Sequence, residues 1–125
     1  MRFRLANNRI LKIDGEIKRA LYDIIHNDVK DPRLSDMATV SRVNTTADLK
    51  YAKVYVSIFD TDERKKTSID ALNNAEGFIR SKLNSKIKLR RLPIMEFIID
   101  DSIEYGVRMS KIIDEVNSGK AETNE

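Results

Sequence analysis

Few residues in this chain are of a type that does chemistry, and fewer are spaced for it. There is no cysteine and one histidine, His26, which excludes a thiol nucleophile, a thiolate zinc site, an iron–sulfur cluster and a disulfide framework. Asp60-Thr61-Asp62-Glu63 offers the alternating carboxylates of a calcium loop. Counting from Asp60, however, the sixth position is Lys65 where that loop needs glycine, and the twelfth is Ala71 where it needs a bidentate glutamate. The segment reads as a polar connection. Asp100 and Asp101 are adjacent, and neighbouring strand residues point apart, while Asp101 with Glu104 three positions on has helix N-cap spacing. His26 reads as a surface imidazole near a helix end. With no nucleophile and base, no glycine-rich phosphate cradle and no ligand cluster, the expectation is a binding protein, not an enzyme, needing no metal or cofactor.

The chemistry that remains is electrostatic. Residues 78–91 contain Arg80, Lys82, Lys86, Lys88, Arg90 and Arg91 and no carboxylate. The net charge of +3 over 125 residues therefore hides a concentrated basic stretch, followed by an acidic last third. Such a stretch suits a phosphate backbone; it also suits a solvated helix end, because the helix dipole favours cations there. Lys82 and Lys86 share a helix face, whereas Arg80 lies nearly opposite Lys82, so all six meet one backbone only if the chain turns. Arg2, Arg4 and Arg9 form a second basic group near the start.

The elements that must carry these cations follow from periodicity. Ile10, Ile13, Ile17, Leu21, Ile24 and Ile25 recur at helical spacing and predict a first helix that ends before Asp31-Pro32. Thr39, Val40, Val43, Thr45 and Thr46 favour a strand. Val40 and Val43 would face opposite ways on it, which implies either a bulge or a two-sided strand. After a reversal at Ala47-Asp48-Leu49-Lys50, Ala52, Val54, Val56 and Ile58 alternate cleanly and define a second strand. Thr67 and Asp70 resemble a capping box opening a helix with Ile69, Leu72, Ile79 and Leu83 on one face. Gly77 is its expected hinge, bending the helix so that Phe78 reaches the core; there a β-branched residue should be poorly tolerated. The small Ala75 and Gly77 would let backbone approach either backbone or ligand. Beyond Pro93, Ile94, Met95, Phe97, Ile98 and Ile99 are apolar on both parities and predict an interior strand. A last helix through Val107, Met109, Ile112, Ile113 and Val116 should stop at Gly119. The reading is one α+β domain over residues 1–116, with helices on one face of a small sheet, and a disordered polar tail at 117–125. No window is apolar enough for a membrane span and no signal peptide is legible, so the expected setting is the cytoplasm, with no membrane partner.

Five segments in register resemble one family. They are Asp31-Pro32-Arg33-Leu34; Asp48-Leu49 with Ala52-Lys53-Val54-Tyr55-Val56-Ser57; Ala75-Glu76-Gly77-Phe78-Ile79-Arg80; Leu89-Arg90 through Pro93 to Phe97; and Asp100-Asp101-Ser102 before Gly106. Together they are similar to the ribosome-binding factor A family. The resemblance implies a variant of the type II KH fold and a bacterial factor that matures the small ribosomal subunit by binding its rRNA, acting as a monomer when free and on no small-molecule substrate. Ordinary KH domains clamp the nucleic-acid backbone with a Gly-x-x-Gly loop; here Ala75-Glu76-Gly77 occupies that place. The resemblance implies that Ala75 and Gly77 form the kink and that Arg80 and the cations to Arg91 meet phosphates. Arg33 reads either as part of that surface or as an anchor for its own loop, the structural role being preferred. The competing classes are a protein-interaction adaptor using the acidic C-terminal third, and a hydrolase built on Asp100, Asp101 and His26.

Overall fold

The computed structural model describes residues 2–123, with side chains described for 8–102 and 108–117. Helix α1 (Arg2–Asp23) runs directly into a π turn at Ile24–Asp28, closed by the Val29 amide on the Ile24 carbonyl at 3.1 Å. The wider turn lets the consecutive Ile24 and Ile25 both be buried, alongside Ile13, Ile17 and Leu21. The chain leaves helical geometry at Val29, ahead of Asp31-Pro32 as expected.

Strands β1 (Ala38–Thr45) and β2 (Tyr51–Ile58) pair antiparallel, and the register shifts between Val40 and Arg42. That bulge resolves the parity conflict, because the extra residue returns Val40 and Val43 to the same buried face. The reversal between them is tied by the Thr46 amide on the Tyr51 carbonyl at 2.8 Å and by Asp48, which accepts from Thr46 Oγ1 and the Lys50 amide. Leu49 has φ 61°, a left-handed conformation that most residues avoid, and packs against the core.

From β2 the chain crosses over through α2 (Asp62–Asn74) and α3 (Glu76–Lys86) to β3 (Ile94–Ile99), which lies parallel to β2. The sheet order is β1-β2-β3. The expected interior position of β3 is therefore wrong: it is an edge strand. Met95 and Phe97 enter the core, whereas Ile94 and Ile98 lie on the opposite face, where Ile94 is exposed. Helices α1, α2 and α3 cover one face, and the core gathers Ile17, Leu21, Val54, Val56, Leu72, Ile79, Leu83 and Phe97.

The expected start of the second helix is also corrected. Thr61 caps α2, accepting from the Arg64 amide at 3.2 Å, six positions before Thr67. Asp60 accepts from the Thr61 amide and from Ser35 Oγ, each at 2.8 Å, so this acidic run opens a helix. At the start of α4 (Ser102–Thr123), Asp101 immediately precedes the first helical residue, and Asp100 accepts from the Ser102 amide at 2.9 Å; the Glu104 side chain lies outside the described residues. Helix α4 also runs through Gly119, the expected stop, to Thr123. Of the tail expected at 117–125, residues 124 and 125 lie outside the described ones. Met109, Ile112, Ile113 and Val116 are exposed on α4.

Side chains from helices bond to backbone groups at both sheet edges, at the end of β1 and along the middle of β3. Asp14 of α1 is buried and accepts from the amide and hydroxyl of Thr45 at the end of β1. Asn73 accepts from the Phe97 amide at 2.8 Å and donates to its carbonyl at 3.0 Å, as a neighbouring strand would, and Glu76 accepts from the Met95 amide at 3.1 Å. Unpaired strand edges invite association with other chains; Asn73 and Glu76 satisfy the middle of β3, and Asp14 satisfies the Thr45 end of β1.

Burial raises the Asp14 carboxyl above the usual range, against the lowering effect of the Thr45 bonds. The folded state therefore holds that proton more tightly than the unfolded one. Asp14 thus costs stability at neutral pH, and the cost disappears as the pH falls through its raised folded pKa toward the ordinary value of about 4. Asp31, Asp48, Asp60 and Asp100 have lowered values and act oppositely: their stabilisation is present above about pH 4 and is lost below it. Melting temperature should therefore rise from neutral into mildly acid solution and then fall. Asp14→Asn should abolish the rise and leave the fall. Asp14→Ala should destabilise by about 1–3 kcal/mol, since the buried Thr45 amide loses its acceptor. Thermal melts of the three proteins across pH check both expectations.

Candidate nucleic-acid interface

The helix interruption that the sequence places at Gly77 lies at Ala75, whose φ −92° and ψ 8° separate α2 from α3. Its two flanks are pinned to β3: Asn73 holds Phe97 and Glu76 holds Met95. The break thus follows from fastening two successive helices to one strand. Gly77 falls inside α3, is exposed, lacks a positive φ, and a Cβ added there would meet nothing within 4 Å. The expected crowding at this glycine is corrected by that open space. Phe78 does not reach the core either: it is 47% exposed, with Lys82 Nζ 5.6 Å from its ring centre. Ile79 and Leu83 alone anchor α3 inward.

The basic stretch divides in two. Arg80 and Arg90 meet across a shallow recess that also includes Gly77, Ser81, Asn84 and the apolar Leu89 and Leu92. Arg80 Nε lies 3.3 Å from Glu76, so the carboxylate that closes the β3 edge also orients this guanidinium. Lys86 and Lys88 turn the other way and line a groove against Glu16, Arg19 and Asp23 of α1. Lys82 and Arg91 are exposed. Arg9 is exposed on α1, and the Arg2 and Arg4 side chains lie outside the described residues.

Sequence reasoning missed Asn73 and Glu76 as the positioning pair, and Ser81 and Asn84 as polar members of the recess. The available signal was Asn73-Asn74, two poor helix formers inside an otherwise helical run.

The remaining candidates are engaged elsewhere. Arg33 grips Asp31, with Nη2 2.8 Å from its carboxylate, and holds that carboxyl below the usual range. The Arg33 carbonyl accepts from Thr67 and Ser68 hydroxyls, and Arg64 donates to the Pro32 carbonyl, so this loop is fastened to α2, which agrees with the anchoring role. His26 bonds through Nδ1 to the Tyr22 carbonyl at 2.8 Å and borders the hollow under residues 31–36. Hydrogen bonds from Ser102 and Ser41 hold Asp100 in its charged form. Asp101 borders a groove between α2 and β3, distinct from the hollow that His26 borders. Among the described residues no group of three or more carboxylates and imidazoles could hold a metal, and no helix is long and apolar enough to cross a membrane.

Comparison with known proteins agrees with this architecture. Residues 9–113 match the family model for ribosome-binding factor A. Ribosome-binding factor A of Clostridium beijerinckii is 48% identical over 116 residues, covering 92% of this chain and 98% of its own. The crystal structure of the Thermus thermophilus protein of that name superposes with a TM-score of 0.64 at 31% identity, covering 72% of this chain and 93% of its own. A homology model of the Thermus thermophilus factor, fitted into a cryo-EM map of a 30S complex, superposes with a TM-score of 0.59 at 31% identity, covering 70% of this chain and 91% of its own. The fold is accordingly KH-like, and by the match over residues 9–113 and the identity across nearly the whole chain, this protein belongs to the ribosome-binding factor A family.

Proposed function

We propose that this chain is a non-enzymatic assembly factor of the cytoplasm. In this reading it binds the small ribosomal subunit and its rRNA as a monomer and assists late maturation and rRNA processing, most of all in the cold. Family membership supports the subunit as partner. The observation that carries the RNA reading is the recess at the helix break, where Arg80 and Arg90 face an exposed Gly77 beside Ser81 and Asn84. A sugar–phosphate chain passing Gly77 can approach the α3 backbone closely, while the guanidiniums meet phosphates and the amide of Asn84 meets a base edge or ribose. Lys82, Lys86, Lys88, Arg91 and the basic start with Arg2, Arg4 and Arg9 extend the attraction without reading sequence. The Gly-x-x-Gly clamp of ordinary KH domains is absent, so recognition rests on charge and shape.

Three outcomes follow. Gly77→Ala should stabilise the free protein by up to about 1 kcal/mol, since open space surrounds the new methyl group and alanine is the better helix former. The same change should weaken subunit binding several-fold, because the methyl group occupies the recess; thermal melts and subunit pelleting assays read the two effects separately. Affinity for small-subunit RNA should fall with salt at a logarithmic slope near −3 if about four phosphates are met. Arg90→Glu should flatten that slope by about 0.7 and weaken binding more than Lys88→Glu, which lies outside the recess. A slope that neither substitution alters would favour the adaptor reading through the acidic C-terminal third. Finally, a deletion strain grown in the cold should accumulate immature small subunits with unprocessed rRNA, and normal ribosome profiles there would contradict the assembly role.

A further inference from the structure

The sheet face that α1, α2 and α3 leave uncovered carries a pattern of its own. Its residues on β2 are Tyr51, Lys53, Tyr55 and Ser57, continuing to Phe59, while Ala52, Val54, Val56 and Ile58 point into the core. Tyr51 is 56% exposed and Phe59 82% exposed. Burial energetics alone would place small polar residues here; instead, aromatic rings recur at every fourth position with a cation between the first two. Successive side chains on one strand face are about 7 Å apart, so the Tyr51 and Tyr55 rings lie about 14 Å apart along β2, and the exposed Phe59 follows just past its end. On β1, Arg42 stacks over Tyr55 with Cζ 4.1 Å from the ring centre, so this ring already accepts a planar cationic group. Lys50 precedes these rings beside Asp48, Asn44 and Glu96 flank Lys53, and Asp100 lies within electrostatic reach of Arg42, so the cations alternate with carboxylates and the recurring feature of this face is its rings.

We propose that this open face is a second RNA surface. Unpaired bases stack on Tyr51, on the Arg42–Tyr55 pair and on Phe59, and the intervening phosphates meet Lys50, Lys53 and Arg42. Single-stranded RNA is favoured over a protein occupant by the interleaving itself. Bases have π faces that aromatic rings and guanidinium planes accept in series, and the backbone between them needs cations at the intermediate positions. A protein partner would favour a contiguous apolar patch; here Ile94 lies beside Tyr51 and Ile98 beside Tyr55, and Lys53 with Glu96 separates the two pairs. The surface is separate from the Gly77 recess, and it shares with the proposed function only the premise that RNA is bound.

The test uses the full chain, a short fluorescein-labelled oligouridine and purified small subunits. Tyr51→Leu and Phe59→Leu keep apolar surface and remove stacking. Each should lower oligouridine affinity roughly tenfold without changing the salt slope, since no cation is lost. The chain has no tryptophan and four tyrosines, so binding should also quench intrinsic tyrosine fluorescence, less so in Tyr51→Leu. Circular dichroism melts should match the parent, as both positions are exposed. Unchanged oligouridine affinity in both folded variants, or no oligouridine binding by the parent, overturns the proposal. Loss of subunit binding with oligouridine affinity intact also overturns it and assigns the face to a protein. If Arg90→Glu leaves binding unaltered while the leucine variants weaken it, the recess reading fails and the sheet-face reading holds.

Discussion

The clamp of Asn73 on Phe97 is the interaction on which the rest of this molecule turns. A sheet in the order β1-β2-β3 has two edges, and β3, parallel to β2 and reached by a crossover, presents one of them. Asn73 supplies both halves of the missing strand pairing, and Glu76 supplies a third bond on the same edge. A single straight helix would hold both only where its pitch allowed; the chain instead interrupts itself at Ala75. That interruption places Gly77 and Arg80 at the surface beside Arg90, and Glu76 orients Arg80 as it closes the strand. The architecture of the candidate site is thus a by-product of how the sheet edge is satisfied.

The other edge is closed with different chemistry. At β1, Asp14 is a buried carboxylate whose charged form is disfavoured by its surroundings, whereas Asn73 at β3 is neutral and carries no such cost. An amide can donate and accept in one strand-like pair; a carboxylate accepts only, which suits the two donors that Thr45 presents. The bulge at Val40/Arg42 adds a second protection to the β1 edge by breaking the regular ladder. With the middle of β3 bonded to helix side chains and one face under helices, the opposite face is the broadest surface that the sheet itself presents.

Strands were legible in the sequence wherever one face is buried and the other wet. The alternation from Ala52 to Ile58 gives β2 its register directly, and the conflict between Val40 and Val43 already implied the bulge. Periodicity failed where tertiary hydrogen bonds decide. The apolar parities of β3 are the same for an interior strand and for an edge strand whose outer face is open, and only Asn73 and Glu76 distinguish them. The cap of α2 was misplaced because Thr61 and Thr67 are both competent, and the Asp60 contacts with Ser35 and Thr61 favour the earlier one. Intrinsic flexibility favours Gly77 as the hinge and the family resemblance favours Ala75 with Gly77; the break sits at Ala75, between neighbours that are fastened to β3. Of the six cations between Arg80 and Arg91, composition identified the cluster, but its division between the recess and the α1 groove depends on how the chain turns after Ile87.

That division bears on how RNA affinity is built. Arg80 is partly neutralised by Glu76, whereas among the described residues lining the recess none is a carboxylate that could pair with Arg90; Lys86 and Lys88, outside it, lie near Glu16 and Asp23. A surface ion pair adds little stability by itself, about 0–1 kcal/mol, but it fixes a guanidinium that would otherwise sample many rotamers. Pre-orientation lowers the ordering cost when phosphate displaces water from its free N–H groups. Arg80 therefore acts as a positioned contact and Arg90 as an attractive one. A single recess with this charge balance holds few phosphates, and tight binding to a large RNA requires contacts summed over separate surfaces of the same small domain, which the open sheet face is placed to supply.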